Sequence, residues 1–82
     1  NKCFLQFFEQ QAAAQPDHTA IICNETRLTY AELNARANQL ARHLRARGAK
    51  AETLIPICVD RSADMAIGIL GILKSGAAYV PV

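Results

Sequence analysis

The sequence predicts an α/β fold in the order helix, β-hairpin, amphipathic helix and parallel βαβ unit. Apolar residues make up 51% of the 82 residues and charged residues 20%, which is typical of a folded domain. The spacing of the apolar residues alternates between helical and strand periods along the chain. Near the end, an apolar run at residues 53–59, an apolar helical segment and a second strand from Ala78 follow in βαβ order.

The first helix is predicted over residues 4–14, where Phe4, Leu5, Phe8 and Ala12 share one face. It should end at Gln15, because the residue before a proline avoids the α conformation. Residues 20–23 and 27–29 have strand composition. The short polar connection between them, residues 24–26, predicts a β-hairpin.

The second helix, from Tyr30 to about Arg47, carries the most consistent local pattern. Thr29 and Glu32 fit a capping box, in which each side chain accepts a hydrogen bond from the other residue's backbone amide. Leu28 and Leu33 occupy the positions of a hydrophobic staple. The predicted buried stripe consists of Leu33, Ala37, Leu40 and Leu44.

The sequence also indicates where this helix ends. Gly48 is placed to adopt the left-handed conformation that closes a helix. The basic residues collected near it favour the helix dipole and are interpreted as a solvated face: Arg42, Arg45 and Arg47.

In the βαβ unit, Pro56 indicates an edge strand or a bulge, because proline cannot donate a ladder hydrogen bond. The helix over residues 63–75 is apolar on nearly every side. Gly68 and Gly71 weaken a helix, so we expect them to permit close approach of a sheet or another helix. Lys74 and Gly76 provide a last-turn cation and a left-handed cap.

Composition excludes several classes of function. A net charge of +2 is too small to indicate a nucleic-acid-binding protein. The uncharged run 65–73 is shorter than the ~20 residues that a membrane span needs. The three cysteines, Cys3, Cys23 and Cys58, are odd in number and far apart, which predicts reduced thiols in a cytoplasmic protein. Neither His18 nor His43 has a second ligand at a useful spacing, so we expect no metal site.

Candidate catalytic groups are equally sparse. The pair Lys74-Ser75 lacks the preceding glycine of a phosphate-binding loop and ends a helix instead of opening one. Ser62 is interpreted as a helix cap, since no nucleophile-elbow motif surrounds it. Tyr79 could stack on a ligand but is expected in the core. The residues themselves therefore predict no catalytic, cofactor-binding or metal-binding side chain.

The apolar helix and parallel strands need covering layers that this chain does not supply. We therefore expect a piece cut from the N-terminal part of a larger α/β domain. Residues 1–17 are expected to form a linker and the first helix, and residues 18–82 an incomplete domain portion.

Two segments resemble core motifs of the adenylation domains of nonribosomal peptide synthetases. Residues 28–33, Leu-Thr-Tyr-Ala-Glu-Leu, resemble the first motif, usually L-[TS]-Y-x-E-L. Residues 73–82, Leu-Lys-Ser-Gly-Ala-Ala-Tyr-Val-Pro-Val, resemble the second, usually L-K-A-G-x-A-Y-V-P, with Ser75 in place of the commoner alanine. Asp60-Arg61-Ser62 and residues 8–17 also look like this family, the latter resembling its connection to a condensation domain.

The resemblance implies the N-terminal part of the large subdomain of an adenylate-forming enzyme. Such an enzyme uses ATP and Mg²⁺ to make an aminoacyl adenylate and passes the amino acid to the phosphopantetheine thiol of a carrier domain. Implied partners are the remaining adenylation domain, condensation and carrier domains, and an amino acid, without nucleic acid or membrane. The family's catalytic motifs come later in its sequence, so the matched positions receive structural roles only: Leu28, Thr29, Tyr30, Glu32, Leu33, Leu73, Lys74, Gly76, Tyr79 and Pro81. The piece alone is expected to be inactive.

Two alternatives stay open at this point. The chain could be the equivalent piece of an acyl-CoA or aryl-acid ligase. It could also be a non-catalytic docking or structural module of a multidomain assembly, with Phe4, Leu5 and Phe8 as its contact face.

Overall fold

The computed structural model describes residues 2–23, 25–50, 53–57 and 63–81. The α/β class is confirmed. The elements are α1 (Lys2–Ala14), β1 (Thr19–Cys23), β2 (Thr26–Thr29), α2 (Tyr30–Ala46), β3 (Leu54–Ile57), α3 (Ala63–Lys74) and β4 (Ala78–Pro81).

β1 and β2 form the predicted antiparallel hairpin, with Ile22 opposite Arg27 and Cys23 opposite Thr26. The register shifts between Thr19 and Ile21, where the pairing is irregular. The turn residue Asn24 lies outside the described residues.

α2 begins and ends where the sequence predicts. Gly48 has φ +98°, and its amide donates to the Arg45 carbonyl at 3.0 Å. The Ala49 amide donates to the Leu44 carbonyl, also at 3.0 Å. These two bonds are those of a Schellman motif, which satisfies carbonyls that the last turn leaves free.

β3 and β4 pair in parallel on either side of α3 in the sequence, which confirms the βαβ unit. Pro56 pairs with Val80 in a sheet of two strands, so β3 is an edge strand within the described chain. Leu54 is 66% and Val80 40% exposed, which agrees with the expectation that this chain does not supply the layers that its parallel strands need. α3 packs on these strands, but no described element covers the side chains that point away from it.

The core lies where α2 and α3 cross. Ala37 and Ala41 are fully buried there, although Ala41 was not part of the predicted stripe. A Cβ built on Gly71 would lie 2.6–2.8 Å from Leu40 side-chain atoms, so the close approach expected of Gly71 is confirmed. The role of Gly68 stays a prediction. The main buried cluster consists of Phe8, Leu28, Leu33, Ala37 and Leu70.

In the described ranges we find no helix with the length and hydropathy to cross a membrane. The division of the chain at residue 17 stays a prediction.

Candidate functional site

The two motif segments meet through one aromatic ring of α1. The Phe8 ring centroid lies 5.9 Å from that of Tyr30, at the start of α2. The same ring lies 5.9 Å from Lys74 Nζ, at the end of α3. Phe8 is 5% exposed and belongs to the core. The candidate site is therefore a junction of two helix ends that α1 brings together.

The first motif forms the predicted capping box. The Thr29 amide donates to Glu32 Oε1 at 2.9 Å, and the Glu32 amide donates to Thr29 Oγ1 at 3.1 Å. The pKa of Glu32 is lowered from its ordinary value of 4.5, chiefly by the Thr29 backbone amide and then by the Thr29 hydroxyl, with a smaller contribution from Arg36. Leu28 and Leu33 are both buried in one cluster, as the predicted staple requires.

The second motif ends α3 as the sequence predicts, but Lys74 has a partner that sequence reasoning missed. Its Nζ lies 2.9 Å from Glu9 Oε2 of α1, and its side chain is only 7% exposed. The two residues are 65 positions apart, so no local pattern could pair them.

Ser75 and Gly76 shape the exit from α3. Gly76 has φ +93°, the predicted left-handed cap. Ser75 is buried, and its hydroxyl donates to the Ile72 carbonyl at 2.6 Å while accepting from the Ala77 amide at 3.3 Å. The hydroxyl therefore links the last turn of α3 to the residue before β4, a role that an alanine could not supply.

The other motif residues lie at the end of α3 and in β4. Leu73 is half-buried, and Pro81 lies in β4 opposite Ile57. Tyr79, expected in the core, is 37% exposed. That expectation is wrong for this chain, in which the described residues give β4 a partner strand on one edge only.

The described residues do not assemble a reactive centre. No group of three metal-ligating side chains comes together among them. Cys23 is a free, half-buried cysteine. The arginines at the end of α2 are exposed, as expected of a solvated face. Ser62, Cys58 and the segment Asp60-Arg61-Ser62 lie outside the described residues.

An open apolar groove of about 440 Å³ lies between α1, the hairpin, α2 and α3. Of the residues that line it, Cys23 and Tyr30 are those whose side chains carry a polar group. Such a volume is in the range of small-molecule pockets, but its lining offers no charge to orient a ligand. The residues that line it are Phe4, Phe7, Phe8, Ala20, Ile21, Cys23, Tyr30, Leu33, Met65, Ala66, Ile69 and Leu70.

Comparison with known proteins gives concordant results. The family model described as AMP-binding enzyme matches residues 8–82. The chain is 52% identical over 82 residues to Gramicidin S synthase 2 of Brevibacillus brevis, covering 100% of this chain and 2% of that protein. It is 52% identical over 82 residues to Bacitracin synthase 2 of Bacillus licheniformis, covering 100% of this chain and 3% of that protein. The chain thus spans a very small share of the length of these relatives.

Solved structures with the same fold are also much longer. NpsA-ThdA, an artificially fused adenylation–PCP di-domain from Klebsiella oxytoca, matches with a TM-score of 0.89 and 29% identity over 95% of this chain and 15% of its own. The nonribosomal peptide synthetase FmoA3, in its AMPPNP-bound form, matches with a TM-score of 0.92 and 32% identity over 95% of this chain and 8% of its own.

Proposed function

The chain belongs to the AMP-binding enzyme family, and from this membership we propose that it forms the N-terminal portion of an amino-acid adenylation domain. In the polypeptide that carries it, that domain uses ATP to convert an amino acid to an aminoacyl adenylate and pyrophosphate. The amino acid then passes to the thiol of a carrier domain in nonribosomal peptide synthesis. Neighbouring condensation and carrier domains are partners in this proposal.

The observation that carries the proposal is the end-to-end similarity to peptide synthetases. The 52% identity to Gramicidin S synthase 2 extends over the whole chain, so it includes both motif segments and the residues between them. The family model by itself is broader, since it describes AMP-binding enzymes in general. The nonribosomal assignment therefore depends on the named relatives.

The residues of this chain supply structure to that domain. ATP binding requires phosphate-binding amides or cations, and Mg²⁺ requires oxygen ligands. The described residues fit neither group: Lys74 is already paired with Glu9, and no cluster of carboxylates is formed. We therefore assign no step of adenylation to a residue of this chain, and its motifs act by fixing the ends of α2 and α3.

Amino-acid-dependent ATP–pyrophosphate exchange tests the proposal. The full polypeptide that carries this chain should exchange labelled pyrophosphate into ATP when one of the proteinogenic or nonproteinogenic amino acids is present. The 82-residue chain alone should show none. Exchange by the isolated chain would show that the site has been misplaced.

The same assay separates the alternatives. Exchange that depends on a fatty or aryl acid, followed by transfer to free coenzyme A, would assign the chain to an acyl-CoA or aryl-acid ligase. If the full polypeptide shows no pyrophosphate exchange in the presence of any carboxylic acid, the chain belongs to a structural module and the proposed reaction is overturned.

A further inference from the structure

α1 contacts the end of α3 through a lysine that has little access to water. The Lys74 side chain is 7% exposed, while its partner Glu9 is 50% exposed. An ammonium group in such surroundings needs a compensating charge. Within the described ranges, the Glu9 carboxylate supplies that charge at 2.9 Å.

Phe8, the neighbour of Glu9, strengthens the same contact. Its ring lies 5.9 Å from Lys74 Nζ, within the distance of a cation–π interaction. Phe8 is also buried in the core, so two adjacent residues of α1 contact the ammonium group of Lys74.

The other end of α1 is attached separately. In the turn that follows α1, the carbonyls of Pro16 and His18 accept hydrogen bonds from the amides of Ala31 and Tyr30, each at 3.0 Å. Glu9 precedes the end of α1 at Ala14 by five residues, about 7.5 Å along a helix. Two separated attachments fix the direction of a helix, which one attachment cannot do.

We propose that Lys74 is a positioning residue that attaches α1 to the end of α3 through Glu9 and Phe8. This attachment, called the latch below, fixes α1 as one wall of the apolar groove. α1 contributes Phe4, Phe7 and Phe8 to the apolar groove, so release of α1 removes that wall. The latch places α1 with the body of the unit, in contrast to a division at residue 17. It goes beyond the proposed function and holds whatever reaction the full polypeptide catalyses.

Hydrogen–deuterium exchange tests the latch in the full polypeptide that carries this chain. Lys74→Met removes the cation and keeps an unbranched apolar side chain. Amides of α1 should then exchange roughly fivefold faster, the factor expected when an ion pair and a cation–π contact are lost. Amides of α2, to which the described residues join Lys74 by no ion pair, hydrogen bond or cation–π contact, should keep their wild-type rates. Lys50→Met, at an exposed lysine, is the matched control and should leave α1 unchanged.

Two further variants keep the test decisive if Lys74→Met fails to fold. Glu9→Gln changes a half-exposed residue and should also accelerate exchange in α1 selectively. The double variant Glu9→Lys with Lys74→Glu should slow it again, although not fully, because an anion in the last turn of α3 opposes the helix dipole. Equal acceleration in α1 and α2, or none in α1, would overturn the latch. Pyrophosphate exchange is not used as the readout, so failure of the latch is distinct from failure of the proposed function.

Discussion

Thr29 serves two partners at the start of α2, because its amide and its hydroxyl both bond to Glu32. Thr29→Ala removes the acceptor for the Glu32 amide, so we expect a loss of about 1 kcal/mol in the free energy of unfolding. Urea titration measures the loss, and Thr29→Ser, which keeps the hydroxyl, should stay close to wild type. Affinity for ATP in an adenylating polypeptide should not change. A large change in that affinity would count against a structural role for the motif.

Glu32 makes the same cap sensitive to pH. The pKa of Glu32 is lowered in the folded chain from its ordinary value of 4.5. The ionised carboxylate therefore contributes its full stabilisation above pH 4.5. That contribution is lost as the pH falls through the lower pKa of the folded state. Glu32→Gln keeps an acceptor oxygen but cannot titrate. We expect the stability difference between wild type and this variant to shrink as the pH falls below 4.5, in thermal melts at a series of pH values.

The matched control for this titration is Glu25→Gln, at an exposed position in the hairpin. It should leave the pH dependence of the melting temperature unchanged. If wild type and Glu32→Gln keep a constant difference at every pH, the carboxylate charge has no part in the cap.

At the scale of elements, the crossing of α2 and α3 depends on the missing side chain of Gly71. An added Cβ would lie 2.8 Å from Leu40 Cβ, and that atom cannot rotate away. Gly71→Ala should therefore destabilise the chain by about 1–3 kcal/mol, despite the ~1 kcal/mol that alanine normally gains over glycine in a helix. Ala35→Gly, at an exposed position of α2, measures the difference in helix propensity between alanine and glycine away from the packed interface. Stabilisation by Gly71→Ala would show that the helices can separate without cost.

How well each element could be predicted depends on where its determinants lie. α2 was predicted from end to end because its capping box, apolar spacing and Gly48 are all local in sequence. The sequence could predict that Gly71 lies where another element approaches closely. Only the tertiary structure shows that Leu40 is the residue that approaches it. Ala41 was missed since a small residue beside a stripe of leucines gives little signal of burial.

The candidate site shows the same division. Thr29 and Glu32 could be paired by their spacing alone. The bond between Lys74 and Glu9 could not, because it joins residues that only folding brings together. Tyr79 was wrongly expected in the core, since composition identifies a strand but does not reveal which layers cover it.

At the scale of the whole molecule, the exposed apolar side chains of the parallel strands predict self-association. Parallel sheets are normally covered on both faces, yet Leu54 and Val80 are 66% and 40% exposed. We expect the 82-residue chain to sediment as a concentration-dependent mixture of monomers and larger species. Changing Leu54 and Val80 together to Thr, which keeps strand propensity while adding polarity, should shift it toward monomer. Ala35→Gln, on the far side of α2, is the control and should not. A monomer at every concentration would show that these strands need no further covering.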